Sequence, residues 1–217
     1  MTLTSEAAPV NAPTPSQKPS RKAPRPAAAQ PVLEQLFELY PHLFGAEFAP
    51  LKLGIFQELM ELHPALFERE TLKAALGLHT RSTRYLQSVA AGKMRHDLQG
   101  VATEAVAPEH VHHAIMELFR RRQARSPEDL APKLRRQLIA AFEASGLTRQ
   151  DYLAKCQTHD AGANLALDDA LAERDQRLAK QDALVRTFGS SGKTVEEFAD
   201  MYGLDPSAVH AALKSTG

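Results

Sequence analysis

Apolar residues recur along most of this chain at helical rather than alternating intervals. In "VLEQLFELYPHLF", starting at about Pro31, Leu33, Leu36, Phe37 and Tyr40 share one stripe, and Pro41 ends it. "PLKLGIFQELMELHPALF" predicts a second helix carrying Ile55, Leu59 and Leu62, closed near Pro64. "ERETLKAALGLH" is a third, rich in strong helix formers. "RSTRYLQSVAA" is a fourth, with Thr80 or Ser82 as the N-cap, and Gly92 breaks it. "MRHDLQGVATEAV" changes period and alternates about Gln99-Gly100, which predicts a small antiparallel hairpin. "APEHVHHAIMELFRRRQ" returns to helix, with Pro108 in its first turn and Arg120, Arg121 and Arg122 at the end where the helix dipole favours cations.

After Arg125 the texture changes. "SPEDLAPKLRRQLIAAFEASG" is an amphipathic helix ending at Gly146, and "TRQDYLAKCQ" is a short one. "ANLALDDALAERDQRLAKQDALVRTFG" is long and heavily charged. "TVEEFADMYGLDPSAVHAALKS" reads as two short helices about Gly203-Leu204-Asp205-Pro206. The expected fold is therefore mainly α: a compact helical domain over 31–124 with one small β-hairpin, then a helical extension over 125–217.

Residues 1–30 fit neither period. Their Pro, Ala, Ser and basic residues offer almost nothing to bury, which predicts a disordered tail. It holds Lys18, Arg21, Lys22 and Arg25 against Glu6 alone. The remaining chain is ordinary for a globular protein: 217 residues, 43% hydrophobic, with 26 basic and 26 acidic side chains. No apolar run is long enough for a membrane span, and "MTLTSEAAPV" lacks the pattern of a signal peptide. The single cysteine, Cys156, excludes an internal disulfide or a cysteine-based zinc site. A cytoplasmic protein is the expectation.

Charge is balanced overall but not locally. Arg69, Lys73, Arg81, Arg84, Lys93 and Arg95 lie between Phe67 and Arg95, opposed only by Glu68 and Glu70. Arg69 and Lys73 are four apart and share a helix face. Arg81 precedes the start of the next helix, where unpaired N–H groups favour an anion, and Tyr85 lies about a turn inside it. On charge alone this is either a solvated basic face or a phosphate-binding surface.

Four separated segments carry a resemblance: "PLKLGIFQEL", "LKAALGLHTRSTRYL", "GKMRHDLQG" and "EHVHHA". In this order and spacing they resemble the core of the ProQ/FinO family of bacterial RNA chaperones, over about residues 31–124. The resemblance implies binding of structured RNAs, notably terminator hairpins with U-rich single-stranded 3′ ends, in post-transcriptional regulation by small RNAs. It implies RNA contacts by Lys52, by the cationic row Arg69 and Lys73, by Arg84 and Tyr85, and by Arg95. Where family members often continue the row with arginine this chain has Gly77, and Thr83 replaces a frequent aromatic residue. An A-form stem is read through phosphates and 2′-hydroxyls, which suits Lys and Arg. A 3′ terminus asks for hydroxyl and amide donors and a ring, which "HTRSTRY" supplies through Thr80, Ser82 and Tyr85; with Arg81, Lys93 and Arg95 these complete the expected RNA-binding set.

His110, His112 and His113 cannot all face one side of a helix, so no metal site is expected. Ala199, Gly203 and Val209 fall at helix-turn-helix offsets, yet the second helix offers only Lys214 as a cation, and residues 125–217 hold 12 basic against 14 acidic groups. An αα-hairpin for packing or for a protein partner is the better reading than a DNA-binding unit. No phosphate-binding glycine loop, nucleophile–base motif or metal quartet is evident, so neither enzymatic activity nor a cofactor is expected. The alternatives to an RNA chaperone are a DNA-binding regulator and a protein–protein adaptor using the C-terminal helices.

Overall fold

A computed structural model describes residues 26–45 and 48–214, with side chains from Ala29 onward. Of the disordered tail expected over 1–30, residues 1–25 lie outside the described residues, whereas 26–30 form the start of a helix, where Ala29 finds a buried place in the core. In chain order the described helices are α1 (Pro26–Leu39), α2 (Pro41–Phe44), α3 (Ile55–Leu62), α4 (Arg69–Thr80), α5 (Thr83–Ala90) and α6 (Pro108–Gln123). They continue as α7 (Ala131–Ser145), α8 (Arg149–Cys156), α9 (Ala161–Ser191), α10 (Val195–Tyr202) and α11 (Pro206–Lys214).

The first helix begins at Pro26 rather than about Pro31, and Pro31 lies inside it. Its buried stripe is Ala29, Val32 and Leu36, while Phe37, expected inside, is half exposed. α1 packs on α4, α5 packs on α6, and α6 in turn meets α7 and α8. Local sequence sets the ends. Ser82 caps α5 by accepting the Tyr85 N–H at 3.2 Å. Thr194 and Glu197 close a reciprocal capping box on α10. Gly146 and Gly203 end α7 and α10 at φ 65° and 62°, which a side chain would resist.

The hairpin expected around Gln99-Gly100 does not form a strand pair; the described residues contain no strand. The segment turns back through two isolated bridges, Leu51 with His96 and His96 with Ala102. Asp97 Oδ1 accepts the N–H groups of Gln99 and Val101, at 3.0 and 2.9 Å, so a side chain takes bonds that a ladder would use. Backbone bonds still tie Arg95 to Glu104 and Thr103, and His96 to Pro50 and Lys52. That lashing fixes residues 50–52 beside residues 95 and 96.

The main core runs from Ala29 through Leu171, not to residue 124. Leu134, Leu138, Ile139 and Phe142 of α7, Tyr152 and Cys156 of α8, and Ala163, Leu167, Ala170 and Leu171 of α9 all belong to it. A second small core joins Phe198, Ala199 and Val209, with Leu184 and Phe188 of α9 against them. The terminal αα-hairpin is thus seated on the C-terminal half of α9. No helix among the described residues is long and apolar enough to cross a membrane.

Candidate nucleic-acid interface

The turn between α4 and α5 faces α6 across a surface cavity of about 330 Å³. Four residues expected from sequence line it: Thr80, Arg81, Tyr85 and Arg95. From α6 come four that were not expected, His110, His113, Glu117 and Arg121. A signal for them existed. Positions 110, 113, 117 and 121 form a polar stripe beside the buried Val111, Ile115 and Leu118.

The two central residues are more deeply set than a surface charge and a surface ring. Tyr85 is 7% exposed and Arg95 8%. The Tyr85 hydroxyl accepts the Leu51 N–H at 3.1 Å, leaving its own proton for a ligand. Arg95 Nη1 donates to the Leu51 carbonyl at 2.8 Å. Both polar groups of one buried residue are therefore satisfied by the two side chains that form the cavity wall. Arg95 Nη2 also donates to His110 Nδ1 at 3.2 Å, and Glu104 lies 3.9 Å from Nε. Because arginine only donates, His110 must carry its proton on Nε2 when neutral.

Arg121 braces the opposite rim. Its Nε donates to Glu117 at 2.8 Å, and Nη1 donates to the Arg81 carbonyl at 2.9 Å and reaches Thr83 Oγ1 at 3.5 Å. The turn carrying Arg81 and Ser82 is thereby tied to α6. Thr80 is engaged, its hydroxyl donating to the Leu76 carbonyl at 2.9 Å.

The other expected residues stand outside the cavity. Arg69 and Lys73 are exposed on α4, Arg69 lying 5.5 Å from the Phe56 ring centre. Gly77 breaks that row in sequence, yet a Cβ there would meet Arg81 Nη1 at 3.2 Å. The Arg81 guanidinium folds back over Gly77 and restores a cation at the vacant place. Arg84 lies over Phe48 at 5.3 Å, and Lys93 is exposed. Lys52 is bonded to Glu58, and that bond raises the pKa of its ammonium.

His79, which lies in the basic stretch, is buried against Phe44, Phe48 and Tyr85, with ring centres 4.6, 4.5 and 5.2 Å away. Burial pushes its pKa down to about 4, so it is a neutral core residue. Cys156 is likewise buried, its thiol pushed up to about 11 by burial.

Fold and site together define a mainly helical module with a cation-walled cavity at the start of one helix and further cations around it. A family model described as ProQ/FINO matches residues 27–131. The chain is 32% identical over 166 residues to "RNA chaperone ProQ" of Aeromonas hydrophila subsp. hydrophila, covering 71% of this chain and 76% of that protein. It is 37% identical over 114 residues to "RNA chaperone ProQ" of Shewanella frigidimarina, covering 48% of this chain and 56% of that relative, little more than half its length. A crystal structure of NMB1681 from Neisseria meningitidis MC58, described as a FinO-like RNA chaperone, aligns at 28% identity over 42% of this chain and 93% of that one, with a TM-score of 0.37. The chain belongs to the ProQ/FinO family.

Proposed function

We propose that this protein is an RNA chaperone that holds structured RNAs by a terminator hairpin and its U-rich single-stranded 3′ end, without turning them over. The observation that carries the reading is the shared grip of Tyr85 and Arg95 on Leu51. It presents a phenol O–H and a guanidinium from fixed positions, which limits the ordering cost of binding. Arg81 and Arg121 add cationic rims for the terminal phosphates, and Ser82 and Thr83 open α5 beside them.

Arg69, Lys73, Arg84, Lys93 and Lys52 serve the duplex stem in this reading, through phosphates and without base readout. The domain expected over 31–124 supplies the 3′-end pocket and the stem-binding face, and the helices from α7 onward are open to a protein partner. The protein acts in the cytoplasm, in post-transcriptional regulation by small RNAs. Since the hydrophobic core extends to Leu171, the chain is best tested whole rather than cut at 124.

The test is a titration of the full chain with a terminator hairpin ending in a free 3′ hydroxyl, against the same hairpin ending in a 3′ phosphate. Markedly tighter binding of the free end, with duplex DNA failing to compete, supports the reading. Equal binding of both ends would mean that only the charged stem is seen. Preference for duplex DNA would point instead to a DNA-binding regulator.

A further inference from the structure

A second cleft of about 270 Å³ adjoins the Tyr85 cavity and is lined by Thr83, Leu118, Arg121, Arg122, Arg125 and Ser126. The two cavities have Arg121 in common, with Thr83 beside it, so one guanidinium forms a wall of both. The cations here are not equivalent. Arg120 pairs with Asp160 and Glu117, and Arg121 pairs with Glu117. Arg122 and Arg125 have no carboxylate at ion-pair distance among the described residues.

The segment that displays Arg125 is built rather than loose. Gln123 Nε2 donates to the Glu128 carbonyl at 2.8 Å, and Gln123 Oε1 accepts the Leu130 N–H at 3.0 Å. Ser126 Oγ accepts the Glu128 N–H at 3.2 Å, and Asp129 Oδ1 accepts the Ala131 N–H at 2.9 Å. These bonds fix the backbone from Ser126 to Ala131 and engage the Asp129 carboxylate locally, and the half-buried Arg122 and exposed Arg125 line the cleft without an ion pair among the described residues. Leu118, 5% exposed, gives the cleft an apolar floor, and Thr83 and Ser126 contribute hydroxyls.

We propose that this cleft is a second RNA subsite, which takes the single-stranded nucleotides just upstream of the terminus held at Tyr85. The inference rests on the 3′-end reading above. The chemistry matches a sugar–phosphate strand: two unneutralised guanidiniums for phosphate oxygens, hydroxyls for the ribose, and an apolar floor under a base or sugar. Its capacity is close to that of the first cavity, so each has room for a comparable unit. The common Arg121 makes the path continuous.

The experiment uses the full chain and its Arg122→Ala/Arg125→Ala double variant, with retained helical signal as the control for folding. The RNA probes are one hairpin carrying a single unpaired 3′ nucleotide, the same hairpin with a long U-rich tail, and the long-tailed hairpin ending in a 3′ phosphate. The variant is expected to lose roughly tenfold in affinity for the long tail and little for the short one. On the long tail its salt dependence, log K against log salt, should flatten by about 1.4, the value for two single-strand phosphate contacts. Equal losses on both tails would overturn the subsite, since the arginines would then act only as general charge. An unchanged affinity on both would overturn it too and leave the cleft to an acidic protein segment. The 3′-phosphate probe on the unsubstituted protein reports separately on the Tyr85 pocket, so the two readings fail by different results.

Discussion

Arg95 donates to the carbonyl of Leu51 at 2.8 Å, across 44 positions of sequence and inside the protein. An arginine that reads as a surface charge is thus also part of the frame. Arg95→Ala leaves a buried carbonyl unmatched, and a loss of about 1–3 kcal/mol is expected in urea unfolding. RNA affinity should fall with it. Arg95→Lys keeps the charge but cannot serve both Leu51 and His110, so it should recover only part of either quantity. Full stability in Arg95→Ala would show that the Leu51 bond contributes nothing to the fold.

Tyr85 separates packing from hydrogen bonding. Tyr85→Ala opens a cavity in the core and should cost about 3–5 kcal/mol, so lost binding in that variant is ambiguous. Tyr85→Phe retains the ring, orphans only the Leu51 N–H, and should cost about 1–3 kcal/mol. The expected result for Tyr85→Phe is a folded protein with weakened preference for a free 3′ hydroxyl. A preference identical to that of the unsubstituted protein would remove the phenol from recognition.

His79 makes stability depend on pH. Its folded pKa, about 4, lies below the ordinary histidine value, so the unfolded chain binds more protons between these limits. The stability it confers is fully present above about pH 6.5 and is lost as pH falls toward 4. A decrease of about 2 kcal/mol between about pH 7 and pH 5 is expected from urea midpoints. His112 is shifted down by burial too and adds to the same trend. His79→Leu should shrink the decrease; an undiminished one would assign it elsewhere.

Lys52 is held by Glu58, and in the proposed stem contact a phosphate must compete for it. Glu58→Gln should release the ammonium and raise RNA affinity roughly two- to fivefold, the range of a partly exposed ion pair. The gain should vanish in a Lys52→Ala background. A gain that survives there would be a general effect of removing one negative charge.

Cys156 is buried and its thiol is raised to about 11, so it should resist thiol reagents in the native protein. Labelling should follow unfolding and accelerate in step with urea. Rapid labelling in buffer would mean that α8 opens locally from the core.

Much of the helical order was legible in the sequence because it depends on near neighbours. Ser82 rather than Thr80 caps α5, since it stands three residues before the Tyr85 N–H it accepts. Gly146 and Gly203 end their helices as expected. What could not be read depends on distant partners. Arg121 looked like a cation placed for the dipole of α6, but it reaches the carbonyl of Arg81, forty positions away. The stripe Leu134, Leu138, Ile139 and Phe142 was visible, whereas its burial in the core begun by α1 was not. The extent of the family resemblance and the change of texture after Arg125 suggested a boundary at 124, but both report on local sequence, and the core is continuous beneath it. The missing Gly77 cation follows the same rule, since Arg81 supplies it through space.

The helix α9 enters the main core through Leu171 and meets the terminal hairpin from Gln181, whose amide donates to the Ala212 carbonyl at 3.2 Å. The intervening turns act as a rod of about 15 Å, at about 1.5 Å per residue. Such a rod fixes an angle as well as a length. One residue inserted within it would advance the α10–α11 unit by about 1.5 Å and swing it by about 100° around the rod axis. Whatever that unit meets is therefore presented at a set azimuth to the arginine-lined face, and a two-residue insertion should be more disruptive than a full-turn insertion of about four.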